Sequence, residues 1–306
     1  MEVATLILLQ MAGLYLAIGI GYIATKKLAL SSEGISKLLF YVIVPLVFLH
    51  GISQMRMEGK MLLLPLIIFS ISCTLCLLFY RIGRWCYPEG KEANIIAFAS
   101  GNGNIGYFGI PLAVLLFDAQ TVGVYMVMII GIILFESTLG YYITTLGNFS
   151  AKDALKKIAT LPMLHGALAG IALSLLELPT PEFLENFFQH LRGTYTILGM
   201  MVVGMGLAGL QTLALDGKFI SATFSVKFLA WPLVMFALTM LDAQLIGLFS
   251  AEIHQAARLL SIVPLAVNSV IFATLLNAHP EKMASAVFLS TACALIYVPA
   301  MVAWFV

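Results

Sequence analysis

Two polar clusters in an otherwise apolar sequence hold the residues best suited to chemistry. Residues 101–112 contain four glycines, two asparagines and one proline, among them Asn102, Asn104, Gly109 and Pro111. Residues 263–269 contain Pro264, Asn268 and Ser269. Proline removes an N–H and collides with the carbonyl four residues back, so it opens a helix. Glycine admits the backbone geometry of an unwound stretch. Helix ends at such a break present N–H groups with positive dipole character, suited to an anion, and carbonyls suited to a cation. Asparagine and serine add neutral donors and acceptors that orient a carboxylate without the desolvation cost of another full charge. The chemistry is reversible binding of a small ion. A plain kink explains Pro111 taken alone, whereas the whole Gly/Asn/Pro cluster, matched by the second one, points to a site.

Glu136 and Lys227 add the charges. Both fall deep inside apolar runs, Glu136 about ten residues from a helix end, roughly 15 Å at the helical rise. Charges at that depth are rare and are usually paired or functional. They form an ion pair, or Glu136 exchanges a proton; for Lys227, snorkelling of the long side chain to the surface is the competing reading.

The elements that must position these residues are membrane helices. Of 306 residues, 61% are hydrophobic and 10% charged, far below the roughly 25% of an average soluble domain. Mean hydropathy is +1.02. Ten apolar stretches of about 20 residues are long enough to span. They cover 3–24, 34–54, 61–81, 92–118, 121–146, 158–177, 193–212, 218–240, 251–277 and 281–306. The first lacks the basic start of a cleaved signal and reads as a helix. The sequence shows no clustered basic face, so no nucleic-acid partner is expected.

Basic residues set the orientation. With the N-terminus outside, Lys26, Lys27, Lys37, Arg81, Arg84, Lys91, Lys152, Lys156, Lys157, Lys218 and Lys282 fall in the cytoplasm, against Arg56, Lys60 and Arg192 outside. Both termini then face out, and the loop 147–157 is cytoplasmic. Five spans precede that loop, so two similar halves have opposite topology. The first cluster lies in the fourth span and the second in the ninth, five later. Interrupted helices at matching places in inverted halves are the best sequence-level pointer to a transport site.

At these residues the chain resembles the auxin efflux carrier family. Gly21-Tyr22-Ile23 through Lys26-Lys27 and Pro45 to Leu49 is similar to the family's first loop and second helix. Gly103-Asn104 through Gly109-Ile110-Pro111-Leu112 is similar to its fourth-helix motif. Val263-Pro264-Leu265-Ala266-Val267-Asn268-Ser269, with Ala284-Ser285-Ala286-Val287 and Leu289-Ser290-Thr291, is similar to its closing helices. The resemblance implies an all-α membrane protein of the bile-acid:sodium symporter fold: ten helices in two inverted five-helix repeats, with helices 4 and 9 broken where they cross. It implies a scaffold of helices 1, 2, 6 and 7 (1–54 and 158–212), often dimeric, so a homodimer through the scaffold is open. By the same resemblance, helices 3–5 and 8–10 (61–146 and 218–306) would form the mobile transport domain. It further implies elevator-like movement and an anionic substrate. Glu136, in Leu134-Phe135-Glu136-Ser137-Thr138, departs from the neutral residues of relatives, so their coupling mechanism does not transfer directly.

The remaining residues with chemical character read more plainly. Cys73 and Cys76 are apolar fillers on a helix without partner ligands. His50 and His165 are satisfied polar groups. Gly166 and Gly170 form a G-x-x-x-G that suits close helix packing, including a dimer face. Arg258 attracts an anion to the outer mouth or anchors in headgroups. No Walker motif, metal signature or nucleophile–base set is present, so neither ATP drive nor an intramembrane enzyme is expected. The leading expectation is a secondary transporter of a small mono- or dicarboxylate in a bacterial cytoplasmic membrane, with no cofactor and with H⁺ or Na⁺ as the coupling ion. A sodium-coupled symporter, a uniporter and a passive anion channel are the alternatives.

Overall fold

The computed structural model describes residues 2–145, 151–178, 180–209, 213–275 and 278–305. Residues 147–150 of the expected central loop, 210–212 of the expected seventh span, and Asn277 lie outside them. The described chain is built of helices. The first half contains α1 (Glu2–Leu28), α2 (Ser32–Leu38), α3 (Val44–Ser53), α4 (Leu64–Cys86), α5 (Glu92–Ser100), α6 (Ile110–Leu116), α7 (Ala119–Ser137) and α8 (Leu139–Thr144). The second contains α9 (Ala151–Ala159), α10 (Pro162–Leu175), α11 (Glu182–Ala208), α12 (Gly217–Ser225), α13 (Trp231–Leu241), α14 (Ala251–Ile262), α15 (Asn268–Leu275) and α16 (Pro280–Phe305). Among the described residues, six helical stretches are long and apolar enough to cross a membrane: Ser32–Ser53, Gly59–Cys86, Ala119–Thr144, Glu182–Ala208, Gly217–Ile246 and Pro280–Trp304.

Proline shapes several of these stretches in one recurrent way. Wide π turns at Leu39–Ile43, Ile105–Gly109 and Val226–Ala230 each run into an α segment whose second residue is Pro45, Pro111 or Pro232. The extra residue in the turn moves away the carbonyl that the pyrrolidine ring would strike, so the helix bends without ending. Pro65 follows a 3₁₀ turn at Gly59–Leu63 in the same position.

Boundaries differ from the sequence reading at three places. Helix α9 lies largely within the expected loop 147–157, because Ala, Leu and Lys favour helix, and Lys152 and Lys156 are exposed. The polar interruption before the seventh span is largely the start of α11, which begins at Glu182. The fifth span is not one helix: it kinks at Thr138 (φ −120°, ψ −101°), immediately after Glu136 and Ser137.

Packing brings α1 against α11 and α3 against α10, with α11 also touching α2 and α3. A second set of contacts joins α4 to α5 and α7, α14 to α7 and α13, and α12 and α15 to α5 and α16. The G-x-x-x-G of α10 lies inside the chain. A Cβ at Gly166 would strike the Pro45 carbonyl, and one at Gly170 would sit 2.6 Å from the Leu49 carbonyl. That glycine pair seats α10 on α3 and does not present a dimer face. His50 Nε2 lies 3.1 Å from Glu185 and its ring stacks on Phe188, joining α3 to α11.

Candidate functional site

The two polar clusters form breaks that touch. The first break is short, 101–104, between the end of α5 and the π turn that leads into α6. Gly109 and Pro111, expected inside it, are helical: Gly109 ends the π turn and Pro111 is the second residue of α6. The second break spans 263–267, and Asn268 opens α15 with Ser269 behind it. Backbone joins the breaks directly, since the Asn104 N–H donates to the Pro264 carbonyl at 2.8 Å.

Much of the broken backbone is satisfied internally. The Leu265 N–H donates to Ser290 Oγ at 3.2 Å, and the Ser269 N–H to the Ala266 carbonyl at 3.1 Å. Trp231 Nε1 donates to the Ser100 carbonyl at 2.8 Å and so caps α5 where it stops. Tyr125 Oη reaches the Ile105 carbonyl at 3.3 Å. The sequence reading expected bare helix ends to present the binding groups. These N–H groups are engaged, and side-chain amides hold the free valence instead: Asn104 Nδ2 and Asn268 Oδ1 are buried without a hydrogen-bond partner. A buried polar atom left unmet costs roughly 1–3 kcal/mol.

Glycines serve proximity here, not unusual torsion. Gly101 has φ −86° and Gly109 φ −73°, and Gly247 is the glycine that takes a left-handed φ among the described residues. A Cβ at Gly101 would fall into the Phe135 ring, one at Gly103 onto Lys227 Nζ, and one at Gly109 onto Tyr125 Oη. The missing side chains let α7 and the Val226–Ala230 turn press against the first break.

That approach delivers both charges. Glu136 follows Phe135 in the last turn of α7 and is half-buried. Its Oε1 accepts from Asn102 Nδ2 at 3.0 Å and from Asn268 Nδ2 at 2.6 Å, one amide from each break. Asn102 is fully buried, and its Oδ1 lies 3.4 Å from Ser269 Oγ. Lys227 is 1% exposed, with Nζ at Gly103 and 5.1 Å from the Trp231 ring centroid. Its ammonium is directed inward, which excludes snorkelling for this residue. Arg258 lies on α14 and turns back to Thr239 Oγ1 at 3.0 Å and the Phe236 ring, so it braces α14 on α13.

The structure therefore gathers Asn102, Asn104, Pro264, Asn268, Ser269, Glu136 and Lys227 around the joined breaks, with Gly109 and Pro111 one turn further on. Sequence reasoning missed Trp231, Tyr125 and Ser290, which hold the breaks open. Trp231 beside Pro232 was the available signal, an indole N–H within an apolar run that needs an acceptor. α11 closes one side: Tyr195 Oη would be 3.4 Å from a Cβ at Gly106, and Gly199 faces Tyr107.

Comparison with known proteins adds the family. A family model described as membrane transport protein matches residues 6–152 and again 148–302, so two successive matches cover nearly the whole chain. No curated protein matches the sequence. With apolar helices long enough to span and a family match over both halves, the chain belongs to the membrane transport protein family, that of the auxin efflux carriers, and is a multi-pass membrane transporter, not an enzyme.

Proposed function

We propose that the protein is a secondary transporter of a small organic anion, a mono- or dicarboxylate, and that the joined breaks bind the carboxylate. One observation carries this reading: amides from two distant segments, Asn102 and Asn268, converge on a single carboxylate oxygen. A site that already holds one carboxylate with two neutral donors is built for another. Lys227 at Gly103 supplies the positive charge, Asn104 Nδ2 a further donor, and Pro264 the carbonyl that locks the breaks together.

The packing supports an elevator. In this reading the breaks are the crossing point of helices 4 and 9 in two inverted five-helix repeats. Residues 1–54 and 158–212 form the scaffold, and 61–146 and 218–306 the moving body that carries the site past α11. Both termini face outward and α9 faces the cytoplasm with its lysines. A homodimer would use a scaffold surface other than Gly166 and Gly170. Glu136 and Lys227 are the coupling residues, and H⁺ is favoured over Na⁺ because the carboxylate at the site is held by amide donors.

Counterflow in proteoliposomes tests the reading. Vesicles loaded with unlabelled lactate, benzoate, malonate or succinate should accelerate uptake of the same labelled acid, with no requirement for Na⁺. Conductance without counterflow makes the protein a channel, and a strict Na⁺ requirement makes it a sodium symporter.

A further inference from the structure

The carboxylate held between the two breaks is the protein's own. Glu136 Oε1 takes one hydrogen bond from each break, and those are the donors that an incoming carboxylate needs. Glu136 stands at the carbonyl end of α7, where the helix dipole opposes an anion. The side-chain amides therefore do the stabilising, and the helix does not. The residue is half-buried, so part of its surface is not covered by the chain. The kink at Thr138 begins two residues on, where the regular helix that fixes the side chain ends.

We propose that Glu136 is an internal ligand, occupying the place of the transported carboxylate between Asn102 and Asn268, and that each anion entering displaces it with uptake of one proton. The inference rests on the reading of the joined breaks as the anion site. The balance is simple. Before binding, the site holds one carboxylate. On binding, a second carboxylate enters, one proton from the medium adds to a Glu136 oxygen, and the net charge of the site is unchanged. Without that proton two anions would share two amides.

The other charged and titratable groups on the surrounding elements do not substitute for Glu136. Lys227 meets the break at Gly103 and is kept in Glu136→Ala, so a pH response that came from the lysine would persist in that variant. Arg258 on α14 is turned to Thr239. Tyr125 on α7 donates to the Ile105 carbonyl. Glu92 on α5 and Lys282 on α16 pair with each other at 3.0 Å in the first turns of their helices, away from the breaks. One linked proton makes anion affinity fall about tenfold per pH unit once Glu136 is ionised.

Acetate is the probe, because it is the severed end of the Glu136 side chain. The full-length protein in detergent is melted in sodium acetate and in sodium chloride of equal ionic strength, at pH 6 and pH 8.5. A ligand that binds the native state raises Tm by mass action. Glu136→Ala vacates the place and should gain Tm in acetate at both pH values, whereas the unaltered protein gains at pH 6 and not at pH 8.5. Adding Asn102→Leu to Glu136→Ala should remove the gain. Equal gains in the unaltered protein and Glu136→Ala at pH 8.5, or no gain in either at any pH, overturn the proposal. Should Glu136→Ala not fold, Glu136→Gln decides: an acetate response of the same size at both pH values supports the internal ligand, and one with the unaltered protein's pH dependence overturns it. Counterflow on the same preparations separates the two readings. Failure of every carboxylate to exchange removes the transport function and leaves the acetate result standing.

Discussion

Asn102 and Asn268 come from opposite halves of the chain and end on one oxygen of Glu136. Hydrogen bonds to a charged acceptor contribute roughly 1.5–3 kcal/mol each. In the Glu136→Ala protein, where no internal carboxylate shares the amide, Asn102→Leu should therefore weaken acetate binding by about ten- to a hundredfold, read from the acetate concentration needed to raise Tm. Lys227 is held differently, by exclusion from water and by the space that Gly103 leaves. Gly103→Ala places a methyl on the ammonium and forces the lysine away from the break. The expected outcome is a loss of counterflow rate of at least about tenfold with a loss of stability no greater than the roughly 1–3 kcal/mol typical of overpacking. A normal rate in a folded Gly103→Ala protein would remove Lys227 from the site.

At the scale of elements, the helices owe their positions to close backbone approach. Without a hydrophobic force between helices in lipid, small residues that let backbones touch set the packing. Gly166 and Gly170 do this for α10 on α3, against the Pro45 and Leu49 carbonyls. Gly166→Leu should lower thermal stability by about 1–3 kcal/mol or more through overpacking. Gly13→Leu is the control, since nothing lies within 4 Å of a Cβ there, and its Tm should stay unchanged. The breaks follow another rule. They persist because Trp231, Ser290 and the Asn104–Pro264 bond supply the partners that a helix would otherwise provide.

For the whole molecule, movement and pH dependence are the testable properties. Tyr107 meets α11 at Gly199, where a Cβ would lie 3.6 Å from the Tyr107 Cα. Cysteines at 107 and 199 come within disulfide reach. In a protein with Cys73, Cys76, Cys86 and Cys293 replaced, oxidation should stop counterflow and a reductant should restore it. Unchanged counterflow after complete cross-linking would rule out an elevator. Stability has its own handle at Asp216, outside the spans. Burial raises its carboxyl, but hydrogen bonds from Tyr87, Lys282 and the Phe219 N–H outweigh that and bring it down to about 2. The unfolded value is roughly 3.9, so between the two the unfolded chain binds more protons and stability rises with pH. The contribution is complete above about pH 4 and is lost as pH falls through about 2. Asp216→Asn should start less stable at pH 7 and lose less on acidification, measured by Tm against pH.

The sequence by itself determined that the chain is a membrane protein built of apolar helices, that two of its spans break, and that Glu136 and Lys227 are charges inside apolar runs. Each of these is written in local composition, because lipid demands apolar length and proline with glycine opens a helix wherever it stands. The tertiary structure alone decided that the breaks touch and that the two amides share one carboxylate. It also decided that the glycines of 101–109 make room for neighbours and do not adopt unusual torsions, and that Gly166 and Gly170 face inward. Those facts depend on residues far apart in sequence. Hydropathy has no term for which distant group fills a space or meets a donor, and packing does.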